Sequence, residues 1–146
     1  MERQVQSPAL VMRVMKYAFL VSMFLFIYVL YVLSKVPAPS LPPVSQPLEL
    51  ALTVVGLACI AMGFVLPRFL DRTVQQAPQS EPLAVQRGRW MTKGVISLAC
   101  FEACTLFGFM LNRLGGRLWL VELLFGAGIV AMLFWSPEPP PRAEEQ

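Results

Sequence analysis

ISLACFEACTLFGFML, residues 96–111, is apolar almost throughout, yet it carries Glu102 near its middle. Extended to residues 94–111, the stretch has the length of a membrane-crossing helix, roughly 17–25 residues. A carboxyl group at mid-span costs at least about 2.5–3.5 kcal/mol on insertion scales. The chain must therefore gain something from Glu102, and the surrounding sequence narrows what that is.

Three further blocks share the same character, at residues 14–34, 48–66 and 118–135. None of the four cores contains proline. Pro47 suits the first turn of a helix, where its missing N–H costs nothing. Pro67 and Pro137 stand where the second and fourth patterns stop, and are expected to follow helix ends. Period-two alternation is absent, which favours helices over barrel strands. The expected fold is all-α: one integral membrane domain over residues 1–146, with four transmembrane helices arranged as two hairpins. The tail at 137–146, rich in Pro and Glu, is expected to be extended or disordered-like.

Composition agrees. The chain has 146 residues, 56% of them hydrophobic and 14% charged, with a mean hydropathy of +0.60. Soluble domains carry about a quarter charged residues. The first apolar run is too long for a signal-peptide core and leads into Pro-rich sequence, so it reads as a retained span. Cys59, Cys100 and Cys104 all lie in apolar blocks, where they pack as small apolar residues and form no disulfide framework. There is no histidine. That removes His-ligated haem, imidazole-ligated chlorophyll, the common zinc sites and His-based acid–base catalysis. No cofactor or metal is expected, with bound lipid, pigment or quinone left open. No phosphate loop or nucleophile–base pair occurs, so the chain is not expected to be an enzyme.

Orientation follows from the basic residues. Arg3, Arg13, Lys16, Arg68, Arg72, Arg87, Arg89, Lys93 and Arg142 fall on one side, and Lys35, Arg113 and Arg117 on the other. The positive-inside rule then puts both termini in the cytoplasm, in a multi-pass protein of the cytoplasmic (inner) membrane. Tyr17, Tyr28, Tyr31, Trp90, Trp119 and Trp135 lie mainly toward span ends, as interfacial aromatic residues do. The outer loop VPAPSLPPVSQP should be a stiff, polyproline-like strap. The outer turn NRLGGR is short and glycine-rich, and forces the last two helices into an antiparallel hairpin. Between Arg68 and Lys93 the five basic residues outnumber Asp71 and Glu81, which suits anionic lipid and calls for no nucleic acid.

SPALVMRVMKYAFLV from Ser7 and EPLAVQRGRWMTKGVISL from Glu81 share a spacing. Pro8, Val11 and Arg13 match Pro82, Val85 and Arg87, and Lys16 or Lys93 then leads into a span. Two hairpins of one orientation would make a parallel tandem repeat.

At 100° per residue, Ser97, Cys100, Cys104 and Gly108 fall on one face of the third helix, a small-residue stripe suited to close helix contact. Thr53, Gly56, Cys59 and Gly63 form a second stripe, and Gly126 and Gly128 give the fourth helix room. Glu102 points elsewhere, with Leu98, Thr105, Leu106 and Phe109 around it, so Glu102 and Thr105 form the candidate intramembrane polar site. Either that face meets a partner chain or a cofactor-bearing neighbour, or Glu102 bonds within the bundle, to Thr53, Ser22 or Tyr28. In both cases Glu102 is expected to donate the hydrogen bond. Glu49, Glu122, Arg113 and Arg117 lie near the outer boundary and are expected to pair at the interface with snorkelling side chains.

FEACTLFGFML also resembles the ion-binding helix of rotary ATPase proteolipid (c-type) subunits. The matching positions are Glu102, Ala103, Phe107 and Gly108. The resemblance covers about ten residues of the chain and implies reversible protonation or sodium binding at Glu102. The chain departs from that family in lacking a GxGxGxG helix, and in placing its carboxylate on the helix that opens a hairpin. As a whole it resembles the small four-helix proteins of bacterial membranes. The expected function is a non-catalytic accessory or scaffold subunit of a larger membrane complex, an energy-converting one among the candidates. Its partners would be larger membrane subunits and the lipid bilayer. The alternative is an ion- or proton-translocating protein acting through Glu102, alone or as a homo-oligomer.

Overall fold

A computed structural model of the chain describes residues 8–34, 44–74 and 82–136. The regular elements among them are four helices: α1 (Pro8–Ser34), α2 (Gln46–Val74), α3 (Leu83–Arg113) and α4 (Leu118–Phe134). The first three are long and apolar enough to cross a membrane. The fourth is equally apolar but has 17 residues, about 26 Å at 1.5 Å per residue, slightly short of a hydrocarbon core of about 30 Å. The Pro-rich outer loop, Lys35 and the tail lie outside the described residues.

The first three helices outrun the apolar blocks, and α2 does so through a proline. Pro67 does not end the second helix, as the sequence pattern suggested; it lies inside α2, which continues to Val74. A proline has no N–H to give the carbonyl four residues earlier, and that carbonyl belongs to Gly63. It is not left orphaned. Ser97 of α3 donates its hydroxyl to Gly63 O at 2.8 Å, in a buried position. In an apolar surrounding a backbone acceptor freed by proline needs such a replacement, and the small residue at 63 lets α3 come close enough to supply it.

The junction of α3 and α4 is a glycine-terminated cap. Gly116 N donates to Leu111 O at 2.9 Å and Gly115 N to Asn112 O at 3.2 Å. That paired arrangement is the Schellman motif, whose residue after the cap must be left-handed. Gly115 supplies it, with φ of 77°.

α3 and α4 pack on each other, and both touch α1 and α2. Among the described residues α1 and α2 share no contact. In cross-section the bundle is a rhombus: α3 and α4 form its short diagonal, and α1 and α2 occupy its far corners. Sequence-adjacent α1 and α2 are therefore not packed as a pair, whereas α3 and α4 are, so the two halves of the expected repeat pack differently.

Two apolar clusters fill the interior. One joins Met12, Leu20 and Met23 of α1 to Leu98 and Phe101 of α3 and Met132 of α4. The other joins Cys104 and Leu111 of α3 to Leu120, Val121, Leu124 and Phe125 of α4. Aromatic pairs fasten the flanks. Phe26 of α1 meets Phe109 with ring centres 5.9 Å apart, and Phe64 of α2 meets Phe101 at 4.9 Å. Such tilted pairs contribute about 0.5–1.5 kcal/mol beyond the area they bury.

Candidate functional site: the polar pins of the bundle

Glu102 faces α1. Ser22 donates its hydroxyl to Glu102 Oε1 at 2.6 Å, across the two helices and half-buried. Of the sequence-level alternatives this is the one inside the bundle, with Ser22 as partner. Thr105 does not share the Glu102 carboxyl. It is fully buried, its hydroxyl turns back to Glu102 O at 2.8 Å, and its methyl group lies against α4 where Gly128 leaves room. The two residues of the expected polar site thus serve different neighbours.

The small-residue stripe of α3 is divided in the same way. Ser97 and Cys100 meet α2: a Cβ added at Gly63 would lie 2.6 Å from the Phe101 ring and 3.2 Å from Cys100 Cβ. Cys104 and Gly108 meet α4. Cys104 Sγ donates to Leu124 O at 3.3 Å, and a Cβ at Gly108 would lie 3.2 Å from Leu124 Cβ. Gly56 sits under Leu124, with Phe107 alongside. Cys59 stays half-exposed on α2, unpaired. Gly126 departs from expectation. It is exposed and would meet nothing within 4 Å, and the close approach falls at Gly128 instead. With 100° per residue, those two glycines point about 160° apart, so one cannot stand for the other.

α4 is held by charge at both ends. At its start, Arg117 N donates to Glu49 Oε1 at 2.6 Å, and the Arg117 guanidinium lies 3.5 Å from Glu49 Oε2. At its end, Lys16 Nζ donates to Trp135 O at 2.7 Å and Leu133 O at 3.3 Å. A helix leaves N–H groups unpaired at its start and carbonyls at its end, with the matching partial charges. A carboxylate from α2 and an ammonium from α1 answer them. Glu49 is consequently 6% exposed, a buried capping group rather than a snorkelling one. Glu122 and Arg113 are exposed. Lys16 stands in the first turn of the apolar block at 14–34, away from any loop, and its ammonium meets the end of a neighbouring helix.

Among the described residues no group of three or more His, Cys, Asp or Glu could hold a metal ion. At the end of the bundle that carries Trp135, a half-open cleft of about 330 Å³ is lined by Arg68, Trp90, Lys93 and Ser136, with Pro67 and Gly94 in its walls. No protein-family model, curated protein or solved structure matches the chain.

Proposed function

We propose that the chain is a multi-pass protein of the cytoplasmic membrane, with four crossings in two hairpins and both termini cytoplasmic. In this reading it serves as a non-catalytic accessory or scaffold subunit of a larger membrane complex. What supports it is the direction in which the polar groups point. Ser22, Ser97, Cys104, Glu49, Lys16 and Glu102 each tie one helix of the chain to another. These side chains are engaged in holding the shape. The surface offered outward is apolar and concentrated on the flanks: 11% of the most apolar stretch of α1 is buried within the molecule, against 44% for α3. α1 bears all three tyrosines of the chain, Tyr17, Tyr28 and Tyr31, at 58–66% exposure. Tyrosine combines a large apolar ring with a polar hydroxyl, a combination common at protein interfaces.

Native electrophoresis after extraction in mild detergent, followed by identification of co-migrating chains, tests the reading. A defined set of larger subunits is the expected result. Migration as a lone species or a ring of copies, together with proton or sodium flux in vesicles that Glu102→Gln abolishes, would replace it with translocation through Glu102. Orientation has its own test, in a background where Cys59, Cys100 and Cys104 are alanine. A thiol reagent added from outside should label Cys at position 40 and spare Cys at position 79, two sites outside the described residues.

A further inference from the structure

We propose that the outward face of α4 docks a transmembrane helix of a partner chain, one that carries an arginine or lysine level with Glu122. The inference rests on the four-crossing subunit reading and gives that reading the chemistry of its partner.

Glu122 stands four residues before Gly126, the middle residue of α4. At 1.5 Å per residue that is about 6 Å from mid-helix, against about 15 Å for half of a hydrocarbon core. When α4 crosses a bilayer, Glu122 therefore lies inside the apolar layer rather than at its edge. The residue is exposed, and among the described residues it has neither hydrogen bond nor ion pair. The nearby cations are placed elsewhere: Arg117 is held by Glu49, and Arg113 lies exposed in the last turn of α3. Carboxyl groups within a bilayer ordinarily face the interior of their own bundle, face a water-filled cavity or pair with another group. Glu102 does the first, through Ser22. Glu122 points away from the bundle, so the group that completes it comes from outside the chain.

The surface around Glu122 suits a helix. At 100° per residue Trp119, Gly126 and Leu133 fall within 60° of it, and all three are exposed. Their spacings of three, four and seven are those of a helix-packing seam. Gly126 is the shallow point of that seam. A Cβ added there would meet nothing within 4 Å, so its smallness serves no contact inside the chain, whereas Gly128 is used against Thr105. A glycine one turn from a polar group lets a second backbone approach closely enough for that group to reach across. Charge complementarity then fixes the occupant. A guanidinium or ammonium is the match for a carboxylate in a water-poor layer. A second copy cannot supply it at this depth, because residues 17–34, 46–67, 94–112 and 118–135 contain no Lys or Arg. Its own Glu122 would stand at the same level, which like-charge repulsion disfavours.

The test uses the full chain, carrying a donor fluorophore, in phosphatidylcholine vesicles. The probe is an acceptor-labelled leucine–alanine transmembrane peptide with one arginine a turn from its centre, alongside the same peptide with glutamine there. The arginine peptide should associate with the chain about tenfold more tightly than the glutamine peptide. Glu122→Gln should erase that preference and keep the parent's melting temperature, since the side chain is exposed and unbonded among the described residues. Gly126→Leu should weaken both peptides and leave their ratio unchanged. Equal binding of the two peptides to the parent overturns the proposal, as does a preference that survives Glu122→Gln. A preference that is absent in the parent and arises only in Lys35→Gln would overturn it too, by giving Glu122 a cation from its own chain. Energy transfer between copies of the parent that Glu122→Gln abolishes would make the occupant a second copy and overturn it likewise. The two readings fail separately. Larger subunits that co-migrate with Glu122→Gln as they do with the parent would keep the subunit reading and remove this contact, while an arginine preference in a chain that migrates alone would do the reverse.

Discussion

α1 and α3 are both long, apolar and uninterrupted by proline, yet they do opposite work. α3 touches every other helix and contributes Ser97, Leu98, Phe101, Cys104, Thr105 and Leu111 to the buried interior. α1 touches α3 and α4 and leaves most of its length exposed. Hydropathy cannot separate them, because a lipid-facing leucine and a core leucine are the same letter. What separates them is the placement of small and polar residues. α3 carries a small residue on almost every turn of its inner faces; α1 carries bulk, with Ser22 reaching into the bundle to Glu102. Where every helix is this apolar, burial alone discriminates little, so close packing and hydrogen bonds decide which helix is central.

The comparison breaks most visibly where α2 and α3 meet at Gly63. Gly63→Leu should cause the largest loss of stability of any substitution considered, because even a Cβ there collides with Phe101. Overpacking costs typically about 1–3 kcal/mol and occasionally more. Gly126→Leu, on open surface, should leave the melting temperature in detergent unchanged. Equal melting of both variants would mean that α2 and α3 do not approach as described.

The next effect sharpens the role of Pro67. Ser97→Ala leaves Gly63 O buried without its donor, and a buried unsatisfied group costs about 1–3 kcal/mol. Pro67→Ala restores the N–H that the helix would ordinarily give to that carbonyl. In the double variant, therefore, Ser97→Ala should be nearly without effect. Additive losses in this cycle, measured by denaturation in detergent, would show that the Ser97 hydroxyl and the proline are uncoupled.

How far these contacts could be read in advance depends on the kind of signal. The four helical blocks were legible because each is a long apolar run with no proline in its core. The small stripes on α2 and α3 were legible because helical geometry places residues three and four apart on one face. Which stripe meets which helix was not, since Ser97 and Cys104 share a face by angle but touch α2 and α4 respectively. Pro67 misled because a proline at the edge of an apolar block has the same appearance whether it ends a helix or is accommodated within one. The acceptor rescue depends on Ser97, thirty-four positions away. The rhombic packing was hidden for a similar reason: sequence adjacency suggested that α1 lies beside α2, while the contacts that override it are made by Glu102 and Lys16.

Glu102 joins the exposed helix to the central one, and its variants give an intermediate effect. Hydrogen bonds between helices in lipid average about 0.6 kcal/mol, with a maximum near 1.7. Glu102→Leu should loosen α1 by that amount, seen as broadened distances between spin labels placed on α1 and α3. Glu102→Gln keeps an oxygen acceptor for Ser22 and should retain the parent distances. If the leucine variant also holds α1 in place, the ring pair Phe26–Phe109 and the Met12–Met23 packing suffice, and the carboxyl group is not a structural pin.

The smallest effect belongs to the ends of α4. Its two polar ends each find an opposite charge on a different helix, Glu49 at the start and Lys16 at the finish. A charge at a helix terminus contributes typically about 0.3–1 kcal/mol. Lys16→Met keeps the length of the side chain and its apolar stem but removes the donor to Leu133 O and Trp135 O. It should destabilise within that range, and hydrogen exchange should quicken in the last turn of α4 before anywhere else. Glu49→Gln still offers an oxygen to Arg117 N, so it should cost less than Lys16→Met, and Glu49→Leu more than Glu49→Gln. A uniform rise of exchange along α4 in the Lys16 variant would mean that the ammonium holds the whole helix rather than its terminus. In that case α4, at 17 residues, would owe its position to the flanking helices that clamp it rather than to its own packing on α3.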